Sequence, residues 1–146
     1  SHVPQIAIVA SYRLLSLFTF HFSLFTYYHW IIYILLSFFP LSVFLALLIT
    51  GLSPISAGVG ALIATHLSTD GLYGLDPASF LWRGYGLSSQ LFATIWLPLA
   101  IAYAWRGKVI PAIFFLAATT AGHLGIGIIA FLSIGVLAWK NLKKTV

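Results

Sequence analysis

The chain of 146 residues has no cysteine, no methionine and only two acidic residues, Asp70 and Asp76. Without cysteine there can be no disulfide, thiolate metal site or cysteine nucleophile, and thiol usage leaves the redox compartment open. With no methionine even at position 1, the chain reads as processed or as a piece of something longer. Charge is scarce as well. Only 6% of residues are Asp, Glu, Lys or Arg, against about 25% in a soluble domain. No carboxylate, lysine or arginine occurs between Arg13 and Asp70, or between Lys108 and Lys140. A charge in hydrocarbon costs at least about 2.5 kcal/mol, so such long charge-free stretches point to lipid as the solvent.

What the chain does contain agrees with this. It is 61% hydrophobic with a mean hydropathy of +1.05, and its length allows five or six spans at about 20 residues each. The net charge of +5 comes from single basic residues and a short tail, with no basic stripe. It therefore reads as membrane topology and excludes a nucleic-acid partner.

Residues 5–28 are apolar but hold Arg13 and His21. Two placements stay open, spanning or lying in the interface, and the segment lacks the basic start and small-residue cleavage site of a signal peptide. The clearest span is 30–50, with no charge, Pro40 near its middle as a kink point, and Tyr27, Tyr28 and Trp30 as an aromatic belt at its start. Gly51-Leu52-Ser53-Pro54 ends one helix and starts the next, with Gly at the C-cap, Ser at the N-cap and Pro at N1. The third helix, 54–67, is short and carries Ser56, Gly58, Gly60 and Ala64 for close packing. Residues 69–86 then form a loop rich in turn signals, in which Asp76-Pro77 can cap a short interfacial helix. Further spans follow at 87–105, with Pro98 inside, at 109–121 and at 124–139, with the basic turn Arg106-Gly107-Lys108 after the first of them. The expected fold is all-α and polytopic: an N-terminal apolar helix at 1–28, then a multi-span membrane domain at 29–146 with one structured outer loop and a basic tail at 140–146.

Arg106 and Lys108 mark one side of the membrane, and Lys140, Lys143 and Lys144 mark the side reached two spans later. These are the same side, which the positive-inside rule makes cytoplasmic. Alternation then places the loop 69–86, His66 and His123 together on the outer face. Asp70 and Asp76 are the candidate catalytic carboxylates, as general base or as ligands of a divalent cation such as Mg or Mn. Arg83 offers a planar donor fork for phosphate or carboxylate. His66, His123 and Gln90 are the further candidate substrate contacts. Each has an ordinary reading too: the aspartates as turn or cap residues, Arg83 paired with Asp76 or reaching for headgroups, the histidines bonded to a neighbouring helix's carbonyl. No Walker loop, Gly-x-Ser-x-Gly or His-Glu-x-x-His is present, and Gly125-Ile126-Gly127 reads as helix packing.

Three stretches carry a family likeness. "FFPLSVFLALLITGLSPISAGVGALIATHLS", "RGYGLSSQLFATIWLPLAIAYAWRGK" and "AATTAGHLGIGIIAFLS" resemble consecutive parts of GT-C class membrane glycosyltransferases. They look most like the integral membrane family related to pyruvoyl-tetrahydropterin synthase. The likeness runs over about residues 27–144 and rests mainly on apolar patterns. It implies a multi-pass protein of a bacterial or archaeal plasma membrane that uses a polyprenyl-phosphate-linked sugar on the non-cytoplasmic face. In that class a carboxylate of the first outer loop is the usual base. That loop would precede Tyr27, where this chain has no Asp or Glu, so the resemblance implies an internal fragment of a longer chain, inactive alone. A non-catalytic membrane scaffold and a transporter fragment are the alternatives from other classes. A transporter core should place polar groups at broken helices near the midplane, yet Pro40 and Pro98 have no charged neighbours.

Overall fold

The computed structural model describes residues 2–18, 23–66 and 88–142. Among them the fold is all-α, with six helices: α1 Val3–Ser16, α2 Leu24–Thr50, α3 Pro54–His66, α4 Ser88–Trp105, α5 Val109–Gly122 and α6 Leu124–Leu142. One of these, α2, is long and apolar enough to cross a membrane, with a mean hydropathy of 2.6 over its most apolar window, and α3 to α6 hold shorter apolar stretches.

Local chemistry sets the ends of the helices. Where the sequence reads one apolar segment over 5–28, the structure ends α1 at Ser16 and starts α2 at Leu24. The start is fixed by Ser23, extended at φ −68° and ψ 149°, whose hydroxyl accepts the Thr26 N–H at 3.1 Å. Tyr27, Tyr28 and Trp30 therefore lie inside the helix rather than ahead of it. At the other end the expected stop is present. Gly51 is left-handed at φ 102°, Leu52 N–H reaches Leu47 O at 3.1 Å and Gly51 N–H reaches Leu48 O at 3.0 Å. This paired closure needs a residue without a Cβ strain penalty at that position. Ser53 then caps α3 through the Ser56 N–H at 3.2 Å. The basic turn repeats the device: Gly107 has φ 69°, and Lys108 N–H meets Tyr103 O at 2.9 Å.

α4 is the hub. It packs most extensively on α5 and α2, also on α6, and less on α1, while α3 packs against α2 alone among the described helices. Along the α2–α4 contact, Ala46 packs with Leu99 and Ala102, and one turn earlier in each helix the Ser42 hydroxyl donates to the Ile95 carbonyl. α2 and α4 therefore run parallel. α5 returns antiparallel to α4, which puts Phe115 between Trp96 (ring centroids 5.7 Å apart) and Tyr103 (5.6 Å) in a stacked series. Ser42 lies two residues after Pro40 and Ile95 three before Pro98. The only described bond between α2 and α4 thus sits beside the residue in each helix that lacks a backbone donor. Hydrogen bonds of this kind between apolar helices average about 0.6 kcal/mol, with a maximum near 1.7. Ser42→Ala is expected to lower stability by about 1 kcal/mol in an unfolding titration in mixed micelles. No change would mean that packing alone sets the α2–α4 register.

Burial is inverted relative to a soluble protein. The buried set is dominated by small residues, Ala57, Ala61, Ala93, Ala100, Ala102, Ala112, Ala130, Ser42, Ser89 and Thr119 among them, whereas Ile110, Ile55 and Phe25 are exposed at 84%, 82% and 74%. Exposed large apolar side chains run along every described helix except α4, where Trp105 is the exposed one. Burying one such side chain would be worth about 1.5–3 kcal/mol in water, and contiguous exposed patches of this extent are rare on soluble monomers.

Candidate functional site

The antiparallel return of α5 brings its last turn to the first turns of α4, and α6 starts from the same end. The approach is close. A Cβ on Gly122 would lie 2.9 Å from Ala93 N and 3.0 Å from Ala93 Cα, and a Cβ on Gly127 would lie 2.7 Å from Thr120 Cα. The two helices α5 and α6 are joined by a single residue. His123 is extended at φ −151° and ψ 116° and its N–H bonds to Thr119 O, closing α5. Its Nδ1 accepts the Ile126 N–H at 3.3 Å, opening α6.

Gln90 lies one turn ahead of Ala93 and so shares this end of the bundle with His123. Among the sequence candidates, these are the two that the fold brings to one place. The hydroxyls around them are used locally: Thr94 donates to Leu91 O at 2.8 Å, Thr119 to Phe115 O at 2.8 Å and Thr120 to Leu116 O at 2.8 Å. Threonines bonded back to the preceding helical turn have little capacity left for a ligand. Of the sequence candidates at this end, the half-buried Gln90 amide and His123 Nε2 have no bond to a described residue and stay available to a ligand.

His66 closes α3, on a helix whose contacts among the described helices are with α2, so the described packing does not bring it beside His123. Asp70, Asp76 and Arg83 lie outside the described residues, as does the interfacial helix expected at Asp76-Pro77. Among the described residues no three His, Cys, Asp or Glu side chains cluster as a metal site.

His29 is not among the sequence candidates. It sits in the second turn of α2, where its Nδ1 lies 2.8 Å from Phe25 O, with the Phe25 ring centroid 4.3 Å and the Tyr28 centroid 6.1 Å away. The signal was a His four residues after Phe25 in an uncharged helix, where an imidazole N–H has the carbonyl at i−4 within reach. Nearby, Tyr27 donates to Ser11 Oγ at 2.9 Å and so ties α1 to the start of α2.

Two cavities lie away from these groups. One of about 340 Å³ is lined by Phe38, Leu41, Ser42, Ile95, Trp96 and Leu99 among others, between α2 and α4. The other, about 370 Å³, lies along α2 from Trp30 to Leu41. Both are almost wholly apolar. Trp96 Nε1 is buried and has no hydrogen-bond partner among the described residues. Comparison with family models, curated proteins and solved structures found no match to the chain.

Proposed function

We propose that the chain is a multi-pass membrane domain of a GT-C-like glycosyltransferase, which handles a polyprenyl-phosphate-linked sugar at the non-cytoplasmic end of the bundle in a bacterial or archaeal plasma membrane. The observation that carries the membrane part is the inverted burial, small side chains inside and large apolar ones outside. Helices in lipid associate through close packing of small residues and scattered hydrogen bonds, without a hydrophobic drive. Gly122 on Ala93, Gly127 on Thr120 and Ser42 on Ile95 are contacts of that kind. The catalytic part is carried by the placement of Gln90 and His123 at the end of the bundle where residues 67–87, with Asp70, Asp76 and Arg83 among them, connect α3 to α4 in the sequence. In this reading the aspartates supply the base or hold a divalent cation, and Arg83 with His123 and Gln90 grips the lipid phosphate. A packing-only scaffold subunit is the second reading, favoured by the apolar lining of both cavities and the internal bonding of the hydroxyls.

Residues 1–146 hold no cysteine, so topology is directly measurable in this chain expressed by itself, where an introduced thiol is the sole one. In intact cells, Ser79→Cys is expected to react with a membrane-impermeant maleimide, and Lys108→Cys to react only after permeabilisation. The reverse pattern would separate the candidate residues from the outer face and overturn the orientation.

The phosphate-binding role is tested at Arg83. Lysine keeps the charge but loses the bidentate fork. In the full-length protein Arg83→Lys is expected to slow transfer from the lipid-linked donor by roughly tenfold or more, with thermal stability nearly unchanged. If Arg83 only pairs with Asp76 at the surface, the change should cost about 0–1 kcal/mol of stability and leave transfer intact. That outcome would favour the scaffold.

A further inference from the structure

A backbone N–H only donates and a carbonyl only accepts. Where a ring nitrogen of histidine bonds to the main chain, its protonation therefore follows from the partner. His123 Nδ1 faces the Ile126 N–H at 3.3 Å, so Nδ1 must carry a lone pair and the neutral ring must hold its proton on Nε2. His29 Nδ1 faces Phe25 O at 2.8 Å, so there Nδ1 must carry the proton and the neutral ring keeps its lone pair on Nε2. We infer that the fold sets these two histidines in opposite tautomers, making His123 a hydrogen-bond donor at the bundle end and His29 an acceptor for a proton or a metal ion.

The geometry around His123 supports a fixed ring. As the one residue between α5 and α6, it cannot shift along either helix. Its own N–H is held by Thr119 O at 2.9 Å and its carbonyl by Gly127 N–H at 2.9 Å. Gly125 supplies the space for the ring to fold back: a Cβ there would lie 3.2 Å from His123 Cε1 and 3.4 Å from Nδ1. The imidazole thus does the work usually given to Ser, Asn or Asp at a helix start, and its outer nitrogen is left as an N–H. An N–H suits an oxygen of a phosphate or a sugar, and it has no lone pair for a metal ion or for a proton to be abstracted. Resting on the lipid-phosphate reading above, this assigns His123 to anion binding and removes it from base or metal-ligand roles. His29, which lies on a helix without described contacts to α5 or α6, is the histidine that retains base and ligand capacity.

The test is nitrogen NMR of the full chain, labelled with ¹⁵N-histidine in phosphatidylcholine nanodiscs at about pH 8, where imidazoles are mainly neutral. His123→Asn and His29→Gln assign the two rings, and asparagine preserves the cap so that the first variant keeps its fold. Expected for His123 are a protonated Nε2 and a bare Nδ1, with the reverse for His29. A protonated Nδ1 on His123, or the same tautomer on both rings, overturns the inference. Nanodiscs containing phosphatidic acid, a lipid phosphomonoester, then test the reading beneath it. A shift of the His123 Nε2 resonance supports phosphate binding. The expected tautomers with no such shift keep the tautomer assignment and reject the lipid-phosphate role.

Discussion

Gly122→Ala is expected to lower stability by about 1–3 kcal/mol, the usual range for overpacking a tight contact. The added methyl would come within 2.9–3.0 Å of Ala93 N, Cα and Cβ. Two of those atoms are main chain of α4 and cannot rotate aside, so α5 must move off α4. Gly127→Ala meets Thr120 in the same way, at 2.7 Å from its Cα, and should cost a similar amount. Gly135→Ala is the internal control. It has nothing within 4 Å of the added atom, so alanine's better helix propensity, about 1 kcal/mol over glycine, should leave that variant as stable as the parent or more so. The comparison needs only unfolding midpoints of the three variants in one detergent. Equal midpoints for Gly122→Ala and Gly135→Ala would mean that the α4–α5 approach is looser than described.

Leu91→Ala reports on the solvent of the fold. Leu91 is 1% exposed, one of the largest fully buried side chains among the described residues. In a water-soluble core its truncation would cost about 2–5 kcal/mol, the sum of a lost transfer term and a cavity term. In lipid the separated helices still hold their leucines in an apolar medium, so the transfer term nearly vanishes and the lost packing remains. The expected cost in lipid is therefore shifted below that range, to about 1–3 kcal/mol. The glycine variants act by steric overlap and are insensitive to which solvent surrounds the bundle. A Leu91→Ala cost well above that of Gly122→Ala would argue for a water-facing fold, and a comparable or smaller cost for a lipid-facing one.

The helices α2 to α5 were legible in the sequence because each is a charge-free apolar run, most of them bounded by strong stop signals. Gly51, Ser53, Pro54 and Gly107 act on neighbours two to five residues away, so their effect is local and the structure has them where the spacing puts them. The start of α2 was harder. Ser23 ends the link from α1 with a single cap bond, and nothing in the apolar pattern of 17–30 marks it over its neighbours. Small-residue spacing identified Gly60 and Gly127 as packing positions, and each has a close neighbour, whereas Gly58 faces open space. Gly122 was not singled out, because its partner Ala93 lies on another helix and the spacing within one helix does not name the other. The cap at His123 was hidden for a different reason. Histidine is not among the preferred cap residues, so only the coordinates reveal that its ring has turned back on α6. Of the candidate site, Gln90 and His123 have a described setting, and the charged residues Asp70, Asp76 and Arg83 were legible by type and position alone.

Two helices joined through one residue cannot fray separately. The last turn of α5 ends on His123 N–H, and the first turn of α6 begins on His123 O and Nδ1. Releasing either turn removes an anchor of the other, so opening at this end is a single cooperative event. Hydrogen exchange at His123 and at Ile126 should therefore proceed at one common rate under conditions where opening is slow to close. The same coupling means that a ligand which steadies the His123 ring would protect amides on both helices at once. The bundle end would then tighten as one unit rather than contact by contact.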